Sequence, residues 1–173
     1  MVIFAPPPKV KVEVYRFKLP ALILVPLFAL ALQAYLPLYW NAARLLDLPL
    51  LVVIYFGLVR RSPASTLIGG AVVGMAQDSL SRGPIGLFGA AKTVIGYVTS
   101  SISVRLDTEH WGIRFLIIFI LYLLQALLLY VLGSVLLGQS VAVAVVESLL
   151  AALVNGLGGV LLFLLLDRFR EPA

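Results

Sequence analysis

Six apolar segments alternate with short polar loops, and 10 of the 13 Lys and Arg residues fall on one side of that alternation. A pattern of this kind constrains the chain more than any motif in it, because it demands a membrane and an orientation together. A helix needs about 20 residues to cross the hydrocarbon, with roughly 17–25 usual. The segments near 19–38, 45–60, 63–80, 84–104, 112–137 and 141–166 meet or approach that length. The second is the weakest, since its purely apolar run from Leu48 to Val59 is short. It crosses only if Leu45, Leu46 and Asp47 form its outer turn. The third and fourth are rich in Gly and Ser and depend on close helix packing. At 62% hydrophobic and 12% charged, against about 25% charged for soluble domains, the chain has too much apolar side chain for a soluble core of this size.

Orientation follows from the cations. With the N-terminus in the cytoplasm, Lys9, Lys11, Arg16, Lys18, Arg60, Arg61, Arg105, Arg114, Arg168 and Arg170 lie inside, Arg44 and Arg82 lie outside, and Lys92 falls within a span. A bias of that size over short loops sets an N-in, C-in topology. Tyr35, Tyr39 and Trp40 mark one interface and Trp111 the other. Basic residues ahead of an apolar stretch that contains Ala29-Leu30-Ala31 imitate a cleavable signal. The apolar run continues past that site, and cleavage would reverse the charge bias, so the segment is expected to stay. The organisation expected is a cytoplasmic tail over residues 1–18, with three prolines, followed by a six-helix transmembrane domain over 19–170. The fold class is all-α and polytopic.

The same composition excludes several chemistries. Without cysteine there are no disulfides, thiolate metal sites or cysteine nucleophiles. With a single histidine, His110, a histidine metal cluster is also ruled out. The net charge of +5 is scattered through loops instead of being striped along one face, so it speaks for membrane orientation and against nucleic acid. Gly86-Leu87-Phe88-Gly89-Ala90-Ala91-Lys92-Thr93 imitates a phosphate loop but lacks the glycine before the lysine and any preceding strand. Neither H-E-x-x-H nor G-x-S-x-G occurs, and His110 lies in a loop. No catalytic set, cofactor or metal site is expected, and an enzyme acting on lipid-linked precursors lacks a catalytic pair.

Three ionisable residues fall inside spans: Asp78, Lys92 and Glu147. Each is expensive at mid-bilayer, about 2.5–3.5 kcal/mol on insertion scales, so each calls for a partner or a wet site. At ~1.5 Å per residue, Lys92 lies about 12 Å below the start of the fourth segment and Glu147 about 9 Å below that of the sixth. Asp78 sits just below the end of the third, at similar depth, so the three form one candidate polar cluster. The turn Ser81-Arg82-Gly83-Pro84 brings the third and fourth segments together and leads to an expected Asp78–Lys92 contact. It would be either the wall of a polar site or an ion pair that locks a hairpin. Gly70 and Gly74 form a small-xxx-small face with Asp78 one turn on, suited to close approach of a backbone, whether a partner's or the fourth helix's own. Asn155 and Gly156 offer a similar polar and thin spot on the last helix, and Gln33 and Gln125 are candidate interhelical hydrogen-bond partners.

These residues together resemble a family. Asp47-Leu48-Pro49-Leu50-Leu51 running to Tyr55 and Arg60-Arg61, then Gly70-x-x-x-Gly74-x-x-x-Asp78, Pro84-x-Gly86-Leu87, Gly96-Tyr97 and Asn155-Gly156 are similar to the signature of the rod-shape-determining MreD family. The resemblance covers roughly residues 20–170. Where the family commonly has Ser-Gly after its Asp-x-x position, this chain has Ser81-Arg82-Gly83, and its proline-rich tail is longer. The resemblance implies a bacterial inner-membrane protein, multi-pass and non-enzymatic, that serves as a scaffold of the cell-elongation machinery. It implies binding to MreC, a single-span protein, with the MreB cytoskeleton and peptidoglycan synthases reached indirectly, among membrane lipids. It also implies a fold like the substrate-binding subunits of energy-coupling-factor transporters, which leaves a solute-binding transport component as the alternative.

Overall fold

The computed structural model describes residues 19–60, 62–81, 84–104, 110–138 and 145–168. Among these residues the chain forms six α-helices, one short 3-10 helix and no strand: α1 (Leu19–Tyr39), the 3-10 helix (Asn41–Leu45), α2 (Leu48–Arg60), α3 (Pro63–Leu80), α4 (Leu87–Ser103), α5 (Trp111–Leu137) and α6 (Val145–Asp167). The expected tail at 1–18, the loop cations Arg61, Arg82, Arg105 and Arg170, and residues 141–144 lie outside the described residues. Three stretches, Pro20–Tyr39, Trp111–Val135 and Val145–Asp167, are long and apolar enough to cross a membrane by length and composition. The chain is thus an all-helical protein with the apolar spans of a membrane protein.

The weakest segment of the sequence proves to be the centre of the fold. α2 is 13 residues long, about 20 Å, which falls short of a ~30 Å hydrocarbon core. Every residue from Pro49 to Val59 is buried, and α1, α3, α4, α5 and α6 all pack against it. A helix that is apolar all round has no face to offer water, and burial on every side is the outcome. Leu50, Leu51, Ile54, Tyr55, Ile95, Ile118, Leu121 and Phe163 build the core around it.

Leu45, Leu46 and Asp47, which would have to form an outer turn for α2 to cross by itself, do not form one. The 3-10 helix ends at Leu45, Leu46 is extended, and α2 begins at Leu48 with Asp47 as its cap: Leu50 N–H donates to Asp47 Oδ1 at 3.0 Å. An aspartate one residue ahead of an apolar run, with proline in the first turn, is a helix start signal, and here the local signal prevails over the length a span requires.

α3 and α4 pack as the most intimate pair in the bundle, antiparallel. A Cβ on Gly70 would collide with Lys92 carbonyl oxygen, and one on Gly74 with Phe88 carbonyl oxygen. A Cβ on Gly96 would lie 2.5 Å from Thr66 carbonyl oxygen. The contacts step forward by four on one helix as they step back by four on the other, so glycine at each step lets the two backbones touch. The Gly70/Gly74 face is therefore filled by α4 of the same chain. The end of the bundle that holds Tyr39, Asp47, Leu80 and Leu87 is termed the top, and the end with Arg60, Pro63, Trp111 and Asp167 the bottom.

Candidate functional site

Four buried polar residues, Asp47, Lys92, Gln125 and Asn155, gather where the chain enters α2. Asn155 lies ten residues into α6 and Gln125 twelve residues from the end of α5, about 15 and 18 Å along their helices. The non-helical stretch that leads into α2 is thus held well below the helix ends. Irregular backbone at membrane depth persists only where protein satisfies its hydrogen bonds, and two amides do so. From α1, Gln33 Nε2 donates to Leu46 carbonyl oxygen and its Oε1 accepts from Leu48 N–H, both at 2.9 Å. From α6, Asn155 Nδ2 donates to Leu45 carbonyl oxygen at 2.6 Å and its Oδ1 accepts from Asp47 N–H at 2.8 Å. Asn155 is fully buried and also donates to Ala151 carbonyl oxygen.

Asp47 is the hub. While Oδ1 caps α2, Oδ2 accepts from Lys92 Nζ at 2.8 Å and from Gln125 Nε2 at 2.7 Å. Lys92 Nζ also donates to Gln125 Oε1 at 2.9 Å, closing a three-membered ring of hydrogen bonds across the starts of α2 and α4 and the middle of α5. The ammonium lies 4.9 Å from the centre of the Phe88 ring, so its remaining side meets a π face. Lys92 has an exposure of 0%. A charge so enclosed is tolerable only when paired and well partnered, and here one carboxylate, one amide oxygen and an aromatic face surround it.

The expected contact between Asp78 and Lys92 does not form. Asp78 is buried, but its carboxylate is taken by backbone: Gly86 N–H and Gly89 N–H donate to Oδ2 at 2.9 and 3.0 Å, and Phe88 N–H donates to Oδ1 at 3.0 Å. These amides belong to the first turn of α4, whose N–H groups have no partner within the helix and carry the positive end of its dipole. Gly86 has φ 104°, a left-handed conformation open to glycine at little cost, and it turns its N–H toward Asp78. The loop-and-helix start Pro84-x-Gly86-Leu87 is thus built to deliver amides to a carboxylate. α4 begins at Leu87 and not at Pro84, so Lys92 is about 8 Å into the helix, nearer its start than the sequence suggested.

Glu147 is also apart from the others. It is exposed, in the first turn of α6, where an acidic side chain complements the dipole. Of the three expected cluster members, then, Lys92 is at the hub, Asp78 braces the α3–α4 turn, and Glu147 faces outward. Gly156 lies in the α5–α6 contact: a Cβ there would be 2.6 Å from Phe115 Cε2.

A second polar junction closes the bottom of the bundle. Arg114 Nη1 donates to Asp167 Oδ2 at 2.6 Å, and Tyr55 O–H donates to Asp167 Oδ1 at 3.1 Å, tying α5, α6 and α2 together. In the sequence Arg114 is marked only as a cytoplasmic cation, and nothing there gives Asp167 a role. Facing positions on three separate helices carry no spacing signal. Asp47 as hub had a partial signal, its place as a cap, but its partners on α4 and α5 had none.

Between α1, α3 and α4 lies a cavity of about 340 Å³ with a mixed lining, Gln33, Gln77 and Ser81 beside Leu30, Ala34, Leu80 and Phe88. Gln77 Oε1 is buried there without a hydrogen-bond partner.

No curated protein and no solved structure matches the chain. A family model does, that of rod shape-determining protein MreD, over residues 15–169. That match takes in Asp47, Asp78, Lys92, Gln125 and Asn155 and every described helix, and with it the chain belongs to the MreD family of rod shape-determining proteins.

Proposed function

We propose that this protein is a non-enzymatic integral membrane scaffold of the bacterial cell-elongation machinery, sitting in the inner membrane with six crossings, N-in and C-in, the second of them made by the short α2 together with the non-helical stretch that leads into it. It binds a single-span MreC-like protein, and through it engages MreB and the peptidoglycan synthases. The observation that carries this reading is where the buried polar groups are spent. Asp47, Lys92, Gln125, Asn155 and Asp78 all hold helix to helix or helix to turn, which stiffens a framework and leaves these groups already engaged. A stiff framework offers a partner a fixed surface at low ordering cost. A crossing partner helix needs a face of full membrane length. The exposed stripe Val146, Leu150, Leu153, Leu157, Leu161 and Leu164 on α6 supplies about 27 Å of one.

The mixed cavity with Gln77 at its wall supports a second reading, a solute-binding component of a transporter. Its size falls at the low end of the usual 300–1,000 Å³ for small-molecule sites. One experiment separates the two. Detergent-solubilised protein is expected to co-purify with an MreC-like single-span protein, and Leu157→Arg on the stripe to reduce that capture. Failure of capture by the unaltered protein, together with saturable binding of a small solute that Gln77→Leu abolishes, overturns the scaffold in favour of transport.

A further inference from the structure

We propose that the groove between α1, α2 and α3 is a binding site for one anionic phospholipid, with an acyl chain in the groove and the phosphate on Arg60. The groove has a volume of about 310 Å³ and an almost wholly apolar lining. It runs from Val52 to Arg60 on α2 and from Ser65 to Ala76 on α3, about 12 and 16 Å of helix. That is one leaflet's worth of a ~30 Å hydrocarbon core, too short for a crossing protein helix and suited to a single acyl chain.

Charge selects the headgroup. Arg60 lines the bottom end of the groove; it is exposed and has no ion-pair partner among the described residues. A guanidinium at the level where the lipid phosphate sits makes a charge-assisted, bidentate contact that a zwitterionic neighbour weakens. The floor of the groove is left open at Gly69, where an added Cβ would meet nothing within 4 Å. One residue on, Gly70 is closed by the backbone of α4. The space at Gly69 is therefore not required by the packing of α3 on α4 and is free to hold a ligand. The inference rests on the reading of the chain as a membrane protein and is independent of the scaffold reading.

Native mass spectrometry of the delipidated protein, titrated with phosphatidylglycerol or phosphatidylethanolamine of equal chain length, tests it. One phosphatidylglycerol is expected to bind about tenfold more tightly than phosphatidylethanolamine, because both carry the phosphate but the ammonium of the latter offsets its attraction to Arg60. Arg60→Gln is expected to erase that preference, and Gly69→Leu to abolish retention of either lipid with an unchanged melting temperature. Val72→Trp, at an exposed position lining the same groove, serves as an independent filler if Gly69→Leu proves unstable. Equal binding of the two lipids by the unaltered protein overturns the proposal, as does unchanged retention in both filled variants. If Gly69→Leu loses capture of the MreC-like partner while phosphatidylglycerol binding persists, the groove seats a protein helix and the lipid assignment is wrong.

Discussion

At the scale of single residues, the governing fact is that each buried charge has one specific set of partners. Lys92 is held by Asp47 and Gln125, whereas Asp78 is held by three backbone amides. Removal of one member of a buried pair leaves the other uncompensated, at about 3–5 kcal/mol. Lys92→Ala is therefore expected to lower stability in detergent by roughly that amount, read from thermal or denaturant unfolding. The double variant Lys92→Met with Asp47→Asn is expected to recover part of it, since Asn still caps α2. The charge swap Asp78→Lys with Lys92→Asp is expected to recover nothing, because a lysine cannot accept from the amides of α4. Recovery in the swap would mean that the two side chains pair after all.

At the scale of elements, the α3–α4 hairpin and the lone α2 post obey different rules. The hairpin is held by proximity of backbones, so its glycines are set by what stands opposite them. Gly70→Leu or Gly74→Leu drives a side chain into carbonyl groups of α4, which cannot rotate aside as a side chain can. Overpacking of this kind costs typically 1–3 kcal/mol and more where backbone must move. Size-exclusion profiles of these variants are expected to show aggregation or loss of the folded species, while Gly69→Leu next door elutes like the unaltered protein. A monodisperse Gly70→Leu protein that has lost only its partner would place that face on the outside of the bundle and contradict the packing. α2, by contrast, is held by apolar burial on all sides, and its shortness is possible because Gln33 and Asn155 satisfy the backbone ahead of it.

At the scale of the whole molecule, orientation rests on the distribution of cations across the loops. Absence of native cysteine makes the test clean. Single cysteines introduced at Arg44 and Gln139 are expected to react with an impermeant maleimide from outside the cell, and those at Arg61 and Glu109 only after the membrane is opened. The opposite pattern would invert the bundle and put Arg60 and the lipid groove in the outer leaflet.

How far the sequence reached differs with the range of the interaction. Local physics is written in local sequence: the apolar runs, the Pro63 start of α3, the cap at Asp47 and the glycine spacing of α3 each depend on neighbours within a few residues. Six helices and their approximate limits could therefore be read directly, as could the need of Asp78 and Lys92 for partners. Which partner each would find could not. Neighbouring helices and similar depth pointed to Asp78–Lys92, yet the unpaired amides at the start of α4 compete for the carboxylate and are closer, by virtue of the left-handed turn at Gly86. Lys92 then reaches across to a residue 45 positions earlier and another 33 later, separations over which no periodicity carries information. The central place of α2 was decided in the same way. Its sequence states that it is apolar on every face, but only the packing of five other helices makes so short a segment the core.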